Sequence, residues 1–438
     1  MPLPPDHPLR YQLVHELHAR PSPRLRAPCH AVFLAIKKPR DAANRDREED
    51  RRHLIELLDR FGANHPPEGA SHYYGQVGKY HLRWECYTEF VTYTIFVDGV
   101  AEKPFDPDAY DVFPADWVAR APGLTLTAAL VRVELWAEPE PPDEERIRSW
   151  FSPDALCFSR VNDDSAFVAT DFMLDPTGSI RFAVFARPHI SERRLGRIIQ
   201  RILELEAYKS MALLGLPRAK EVARRINRLD VVLAREVQAM NDSDTPPEET
   251  LERLLDIASE IEEQVSGTAY RFGASEAYAQ IMRERIELLR EERIEGRMTI
   301  REFMTRRFEP AMRTISSAAL RLEQLAVRAK RAGDHLRTRV DVERAEQNQE
   351  LLASMDRRVA LQLRLQHTVE GFSIIALSYY AVNLVTYVVY PFGKDFGIDK
   401  AWLTAAAVPP TVLFVWWVIR SIRLRLEKSE RKGRPLDL

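Results

Sequence analysis

The stretch SYYAVNLVTYVVYPFGKDFGIDKAWLTAAAVPPTVLFVWWVIR, residues 378–420, holds two apolar runs around a ten-residue polar turn. Residues 372–390 carry no charge, which suits a helix crossing a hydrocarbon core of about 30 Å. Residues 401–419 are equally uncharged, and Trp402, Trp416 and Trp417 stand where indole rings settle at a bilayer interface. The basic flanks give the orientation. Arg357, Arg358 and Arg364 precede the first run, and Arg420, Arg423, Arg425, Lys428, Arg431, Lys432 and Arg434 follow the second. The turn offers only Lys394 and Lys400, offset by Asp395 and Asp399. The positive-inside rule then puts both termini in the cytoplasm, as in a multi-pass protein of a bacterial inner membrane. The basic tail is fully accounted for as a topology determinant, and it also suits anionic lipid headgroups, at about 1 kcal/mol per basic residue.

Away from the membrane the charges nearly cancel, 63 basic against 65 acidic side chains, so no global field points to nucleic acid. Cys29, Cys86 and Cys157 lack metal or disulfide spacing and read as free thiols. The first residues show no basic segment followed by an apolar run, so no secretory signal is expected.

The apolar, β-branched run at 30–38 reads as a strand, and period-2 patterns at 78–97 and 124–136 read as strands too, the first of these as one long strand or a bent pair. A charged, helix-favouring stretch at 40–61 separates the first two, and the acidic proline cluster at 138–145 is a surface connection. Runs at 156–161, 166–174 and 179–186, parted by Asn162-Asp163-Asp164 and Asp175-Pro176-Thr177-Gly178, form an antiparallel meander. Residues 1–190 are therefore expected to be an α+β cytosolic domain. After Ser191, Leu195, Ile198, Ile199, Ile202 and Leu205 recur at helical spacing. Residues 191–309 read as a helical region, with a kink at Pro217, a linker at 241–247, and helices over 248–265 and 275–293. Residues 310–371 read as a stalk helix or a hairpin, Gly333-Asp334 being the candidate break. Leu352, Met355, Val359 and Leu363 make a seam mixed with Asn348, Gln362 and Gln366, the kind of seam that sets a register or oligomer state. A rigid stalk thus leads into a two-helix transmembrane hairpin at 372–420 and a basic cytoplasmic tail at 421–438.

Residues 337–380, together with HPLRYQLVHELHARP at 7–21 and RWECYTEFVTYTIF at 83–96, resemble an uncharacterised membrane-anchored bacterial family known by a domain-of-unknown-function label. The resemblance spans nearly the whole chain and brings no assigned chemistry. It departs at Cys86-Tyr87, where a histidine is usual, which weakens any catalytic use of that position. In layout alone the chain is similar to CorA-type divalent-cation channels. Those carry a Gly-Met-Asn filter where this sequence reads Tyr390-Pro391-Phe392-Gly393, so the likeness does not license magnesium transport.

Candidate chemistry is sparse. His15, His18, Cys29 and His30 could gather a soft metal, but nothing fixes a geometry, and surface or packing histidines explain them. Glu85 and Glu89, four apart on one expected strand, would share a face and could bind a cation, act as an acid and base pair, or simply form ion pairs with residues such as Arg83. Tyr379, Asn383, Thr386 and Tyr390 fall at spacings of four, three and four, one polar stripe of the first span that should meet protein or water. No phosphate loop, nucleophile elbow or dinucleotide fingerprint is present. The expectation is a non-enzymatic homo-oligomer without metal or cofactor, a scaffold or sensor at the membrane. A CorA-like channel lined by that stripe is the alternative, and an enzyme using Glu85 and Glu89 the weakest reading.

Overall fold

The computed structural model describes residues 6–11, 14, 22–240, 246–395 and 399–432, with backbone alone at 393–395 and 423–432. Two compact units divide the chain, Met1–Asp334 and His335–Leu438.

Among the described residues the first unit is built on nine strands: β1 (Cys29–Lys37), β2 (His72–Val77), β3 (Tyr80–Cys86), β4 (Phe90–Asp98), β5 (Leu124–Leu135), β6 (Cys157–Val161), β7 (Ala166–Thr170), β8 (Ile180–Ala186) and β9 (Glu292–Arg293). They lie in the order β2-β3-β4-β1-β5-β8-β7-β6-β9. Only β5 and β8 pair in parallel; every other pair is antiparallel. The meander at β6 to β8 is present, with β7 ending at Thr170 rather than running on to Leu174. The 78–97 pattern resolves into the β3–β4 hairpin, and β2 and β9 are strands the sequence did not announce.

Alternation along β1 sorts the core into layers. Val32, Leu34 and Ile36 face α1 (Arg47–Arg60) and α2 (Ala115–Ala119), packing on Leu54, Leu57, Leu58 and Trp117. Asp46 starts α1 by accepting from the Glu48 amide, and acidic residues fill its first turn. Farther along the sheet, α3 (Glu144–Trp150) and the residue after it cover Phe167 and Phe185 with Ile147 and Phe151. On the opposite face Ala31, Phe33 and Ala35 meet α4 (Glu192–Leu213), whose Leu195, Ile198, Ile199, Ile202 and Leu205 are all buried. Each such side chain contributes about 1.5–3 kcal/mol of transfer free energy. Gly196 lets residues 22–25 run across α4, because a Cβ there would stand 1.7 Å from the Pro23 carbonyl oxygen.

The chain bends at Leu214 into α5 (Gly215–Ala239), so Pro217 falls in a first turn, where proline is tolerated, and not at a mid-helix kink. The two helices expected over 248–265 and 275–293 are one, α6 (Pro247–Leu289). Its buried positions run from Gln264 through the anticipated gap at Thr268 and Phe272 to Ser275, a seam of helical spacing with polar members. Most of the expected 241–247 linker, 241–245, lies outside the described residues. α7 (Ile300–Arg307) opens on a capping box between Thr299 and Glu302.

α8 runs from Glu309 to Asp395 without a break. The interruption expected at Gly333-Asp334 does not occur. A lone glycine costs a helix about 1 kcal/mol against alanine, and helix formers such as Ala329, Lys330, Arg331 and Ala332 around it override that cost. Met312, Ile315 and Ala318 of α8 join the core of the first unit.

The second unit holds the rest of α8 and α9 (Lys400–Lys432). Both helices are long and apolar enough to cross a bilayer. Helix geometry extends past Pro391 to Asp395 and α9 starts at Lys400, so 391–395 of the turn expected over 391–400 are helical, while 396–398 lie outside the described residues. Pro409 and Pro410 lie inside α9.

Candidate functional site

Glu85 and Glu89 do not share a strand. β3 ends at Cys86 and β4 begins at Phe90, so Glu89 belongs to the connecting turn and the alternation that would have paired the two carboxylates stops between them. Arg45 pins that turn: its Nη2 donates to the carbonyls of Tyr87 (2.6 Å) and Phe90 (3.0 Å), and its Nε to Asp50 Oδ2 (2.5 Å). Arg45 and Asp50 are both buried, so each neutralises a charge that would otherwise be costly there.

Each glutamate has both oxygens engaged. Glu85 accepts from Arg83 Nη2 at 2.9 Å and from the Tyr87 hydroxyl at 3.0 Å. Glu89 receives Arg271 of α6 in a two-pronged pair at 2.6 and 3.2 Å, with Lys37 at 3.9 Å. Around them Glu204 of α4 accepts from Gln200 at 2.6 Å and pairs with Arg285 of α6. Glu206 takes the Thr127 hydroxyl at 2.9 Å and Lys209 at 2.6 Å. The result is a buried polar layer between the sheet and α4 and α6. A gap of about 20 Å³ beside Arg83, Glu85, Thr92, Thr94 and Glu204 has room for roughly one water.

Burial sets the proton states here. The Tyr87 phenol is pushed well above its ordinary range by burial and then by the Glu85 charge. Tyr208 is pushed up to about 12 by burial and Glu204. The Lys37 ammonium is lowered by burial, with Glu89 opposing and Arg271 and Arg45 adding to the fall. Arg271, Glu204, Arg285 and Glu206 all escaped the sequence reading. The one signal was Glu206, a charge beside Leu205 of the apolar helical pattern; nothing marked which of the arginines on α6 would reach the sheet.

No group of three or more metal-ligating side chains gathers among the described residues. His15 and His18 lie outside them. His30 Nδ1 is 2.8 Å from the Gly99 carbonyl oxygen, and the buried Cys29 thiol is raised to about 12 by burial and by Asp98. All three cysteines are free and buried.

In the apolar stretch of α8 the shielded residues are Ser378, Val382 and Thr386, four apart. Within this unit the other described helix is α9, which shields Thr411 and half-buries Leu403, Ala407 and Val415. At the turn end Lys400 Nζ lies 5.7 Å from the Tyr390 ring and 6.0 Å from the Tyr387 ring. The expected stripe of Tyr379, Asn383, Thr386 and Tyr390 is therefore split: Thr386 is shielded and Asn383 half-buried, whereas Tyr379 is 68% exposed and Tyr390 38% exposed. Of the basic tail, Arg420 is exposed, and Arg423, Arg425, Lys428, Arg431 and Lys432 continue α9. Arg434 lies outside the described residues.

No curated protein matches the chain. The family model described as a protein of unknown function (DUF3422) matches residues 5–426, and the chain belongs to that family.

Proposed function

We propose that this chain is a non-enzymatic, membrane-anchored protein that self-associates through α8 and presents its first unit to the cytosol as a scaffold or sensor. One observation carries the reading. Leu352, Met355, Val359 and Leu363, at helical seam spacing, are each more than half exposed, on the helix that continues as the first apolar span. A second copy of the same seam would cover them, and Asn348, Gln362 and Gln366 would fix the register. Anionic headgroups would meet the basic residues that follow Arg420, with both termini on the cytoplasmic side of a bacterial inner membrane. The test is the mass of the full-length protein in mild detergent beside a version ending before Phe372. An oligomer that loses subunits on truncation supports the reading; a monomer in both forms defeats it.

A CorA-like channel without the Gly-Met-Asn filter is the second reading. Tyr379 is left uncovered by α9 and Asn383 only half covered, so an axis shared between copies would give these polar groups water. This reading requires ion flux in liposomes that Asn383→Leu abolishes.

A further inference from the structure

We propose that the first unit binds a small molecule with an apolar body and one acidic group, in a cavity of about 300 Å³ on the α1 face of the sheet. This is independent of the self-association argued above. The floor is a row across three central strands, for the register sets His30 opposite both Val97 of β4 and Arg132 of β5. Tyr80 and Leu130 extend it, and the segment after β4 closes one side with Phe105. That volume is at the small end of ligand pockets, and its walls are mainly aliphatic and aromatic.

The acidic group follows from which charges are already spent. Arg132 donates Nε to Glu134 (2.6 Å) and Nη1 to the Ala101 carbonyl (2.6 Å), while Trp150 lies 5.7 Å from its guanidinium carbon. Its orientation is thus fixed, and Nη2 has no bonding partner among the described residues. Lys103 is taken by Asp106 at 3.2 Å. Lys79 sits 5.2 Å from the Tyr80 ring centre and has no carboxylate in ion-pair reach among the described residues. The charged donors left over are Arg132 Nη2 and Lys79, beside the neutral Tyr80 hydroxyl, against the exposed carboxylate of Asp108 and the half-buried Asp106 that already holds Lys103. Phe105 adds a second, independent mark: it holds φ +55°, a left-handed backbone disfavoured for a bulky residue. Its ring is held 5.8 Å from Trp150 and 5.7 Å from Phe151 and also packs on the core beneath α1, so packing keeps the wall in a strained position.

The test is a ¹⁹F NMR titration of the full-length protein in detergent with 4-(trifluoromethyl)benzoate and with the matching neutral amide. Saturable binding is expected, with the acid preferred by about ten-fold or more, as loss of a charge-assisted contact implies. Ala101→Trp, at an exposed position on the mouth, should abolish binding with the melting temperature unchanged. Lys79→Glu, at a fully surface site, should weaken the acid and leave the amide alone. Failure of the acid to saturate, equal affinity for acid and amide, or binding that survives Ala101→Trp each overturns the proposal.

Discussion

Arg271 and Glu89, 182 residues apart in the chain, face each other in a two-pronged ion pair that ties the β3–β4 turn to the middle of α6. Removing one partner of such a pair leaves a buried charge uncompensated, which costs about 3–5 kcal/mol. Arg271→Met should therefore lower stability toward the bottom of that range, because Lys37 stays 3.9 Å from the carboxylate. Adding Glu89→Gln should recover part of the loss. Thermal melts of the two single variants and the double variant check this, and a double variant no better than the sum of the singles would count against a coupled pair.

The close passage of residues 22–25 over α4 makes a second prediction. At Gly196 a Cβ would meet backbone, the Pro23 carbonyl at 1.7 Å, which cannot rotate away as a side chain can. Gly196→Ala should cost about 1–3 kcal/mol, as overpacked sites do, even though alanine is the better helix former. Gly333→Ala is the control: nothing lies within 4 Å of its Cβ position, so the same change there should leave stability unchanged or raise it. Denaturant midpoints of the two variants separate the cases.

Local pattern made much of this fold legible. Apolar, β-branched content located β1, alternation located the β3–β4 region and β5, turn residues parted the β6 to β8 meander, and the apolar spacing after Ser191 marked the buried face of α4. What stayed hidden depended on partners far away in the chain. The seam of α6 runs from Gln264 through Thr268 and Phe272 to Ser275, crossing 266–274, which looks like a gap until α4 and α5 are set against it. Gly333 looked like a stop because glycine often ends helices, but nothing local measures how strongly the surrounding turns favour continuing. Glu85 and Glu89 were visible as a spacing, yet a three-residue turn changed what that spacing meant. The cavity floored by His30 and Arg132 had no sequence signature, since its residues come from four strands and a connecting segment.

Alkaline pH should weaken the first unit. Burial is the leading cause that raises the thiols of Cys29, Cys86 and Cys157 and the phenols of Tyr87, Tyr93, Tyr110, Tyr208 and Tyr278. The folded chain holds these protons while the unfolded chain releases them, so their contribution is complete below pH 9 and is lost as pH rises toward the folded values, about 12 for Cys29 and Tyr208. Each such group withdraws about 1.4 kcal/mol per pH unit inside its window. Lys37 works the other way, since its lowered value makes its contribution grow as pH rises toward its ordinary 10.5, but it is one group against eight. Melting temperatures measured from pH 8 to 10.5 should fall, and Cys29→Ala should make the fall shallower.

The exposed seam of α8 gives the prediction that bears most directly on function. Leu352 and Val359 are seven residues apart, so they lie on one face two turns from each other, and both are more than half exposed. If a second copy covers them, Leu352→Glu with Val359→Glu buries like charges against each other and should shift the protein to monomer in detergent. If they face solvent, the same pair of changes should leave the mass untouched and improve solubility. Asn383→Leu distinguishes the role of the span from that of the seam. A polar side chain in lipid contributes roughly 0.6–2 kcal/mol through contacts between helices, too little to hold an assembly by itself. The expected order is thus a large loss of association for the seam variant and a small one for Asn383→Leu. The reverse order, read from mass distributions at matched concentration, would move the interface from the α8 seam into the membrane.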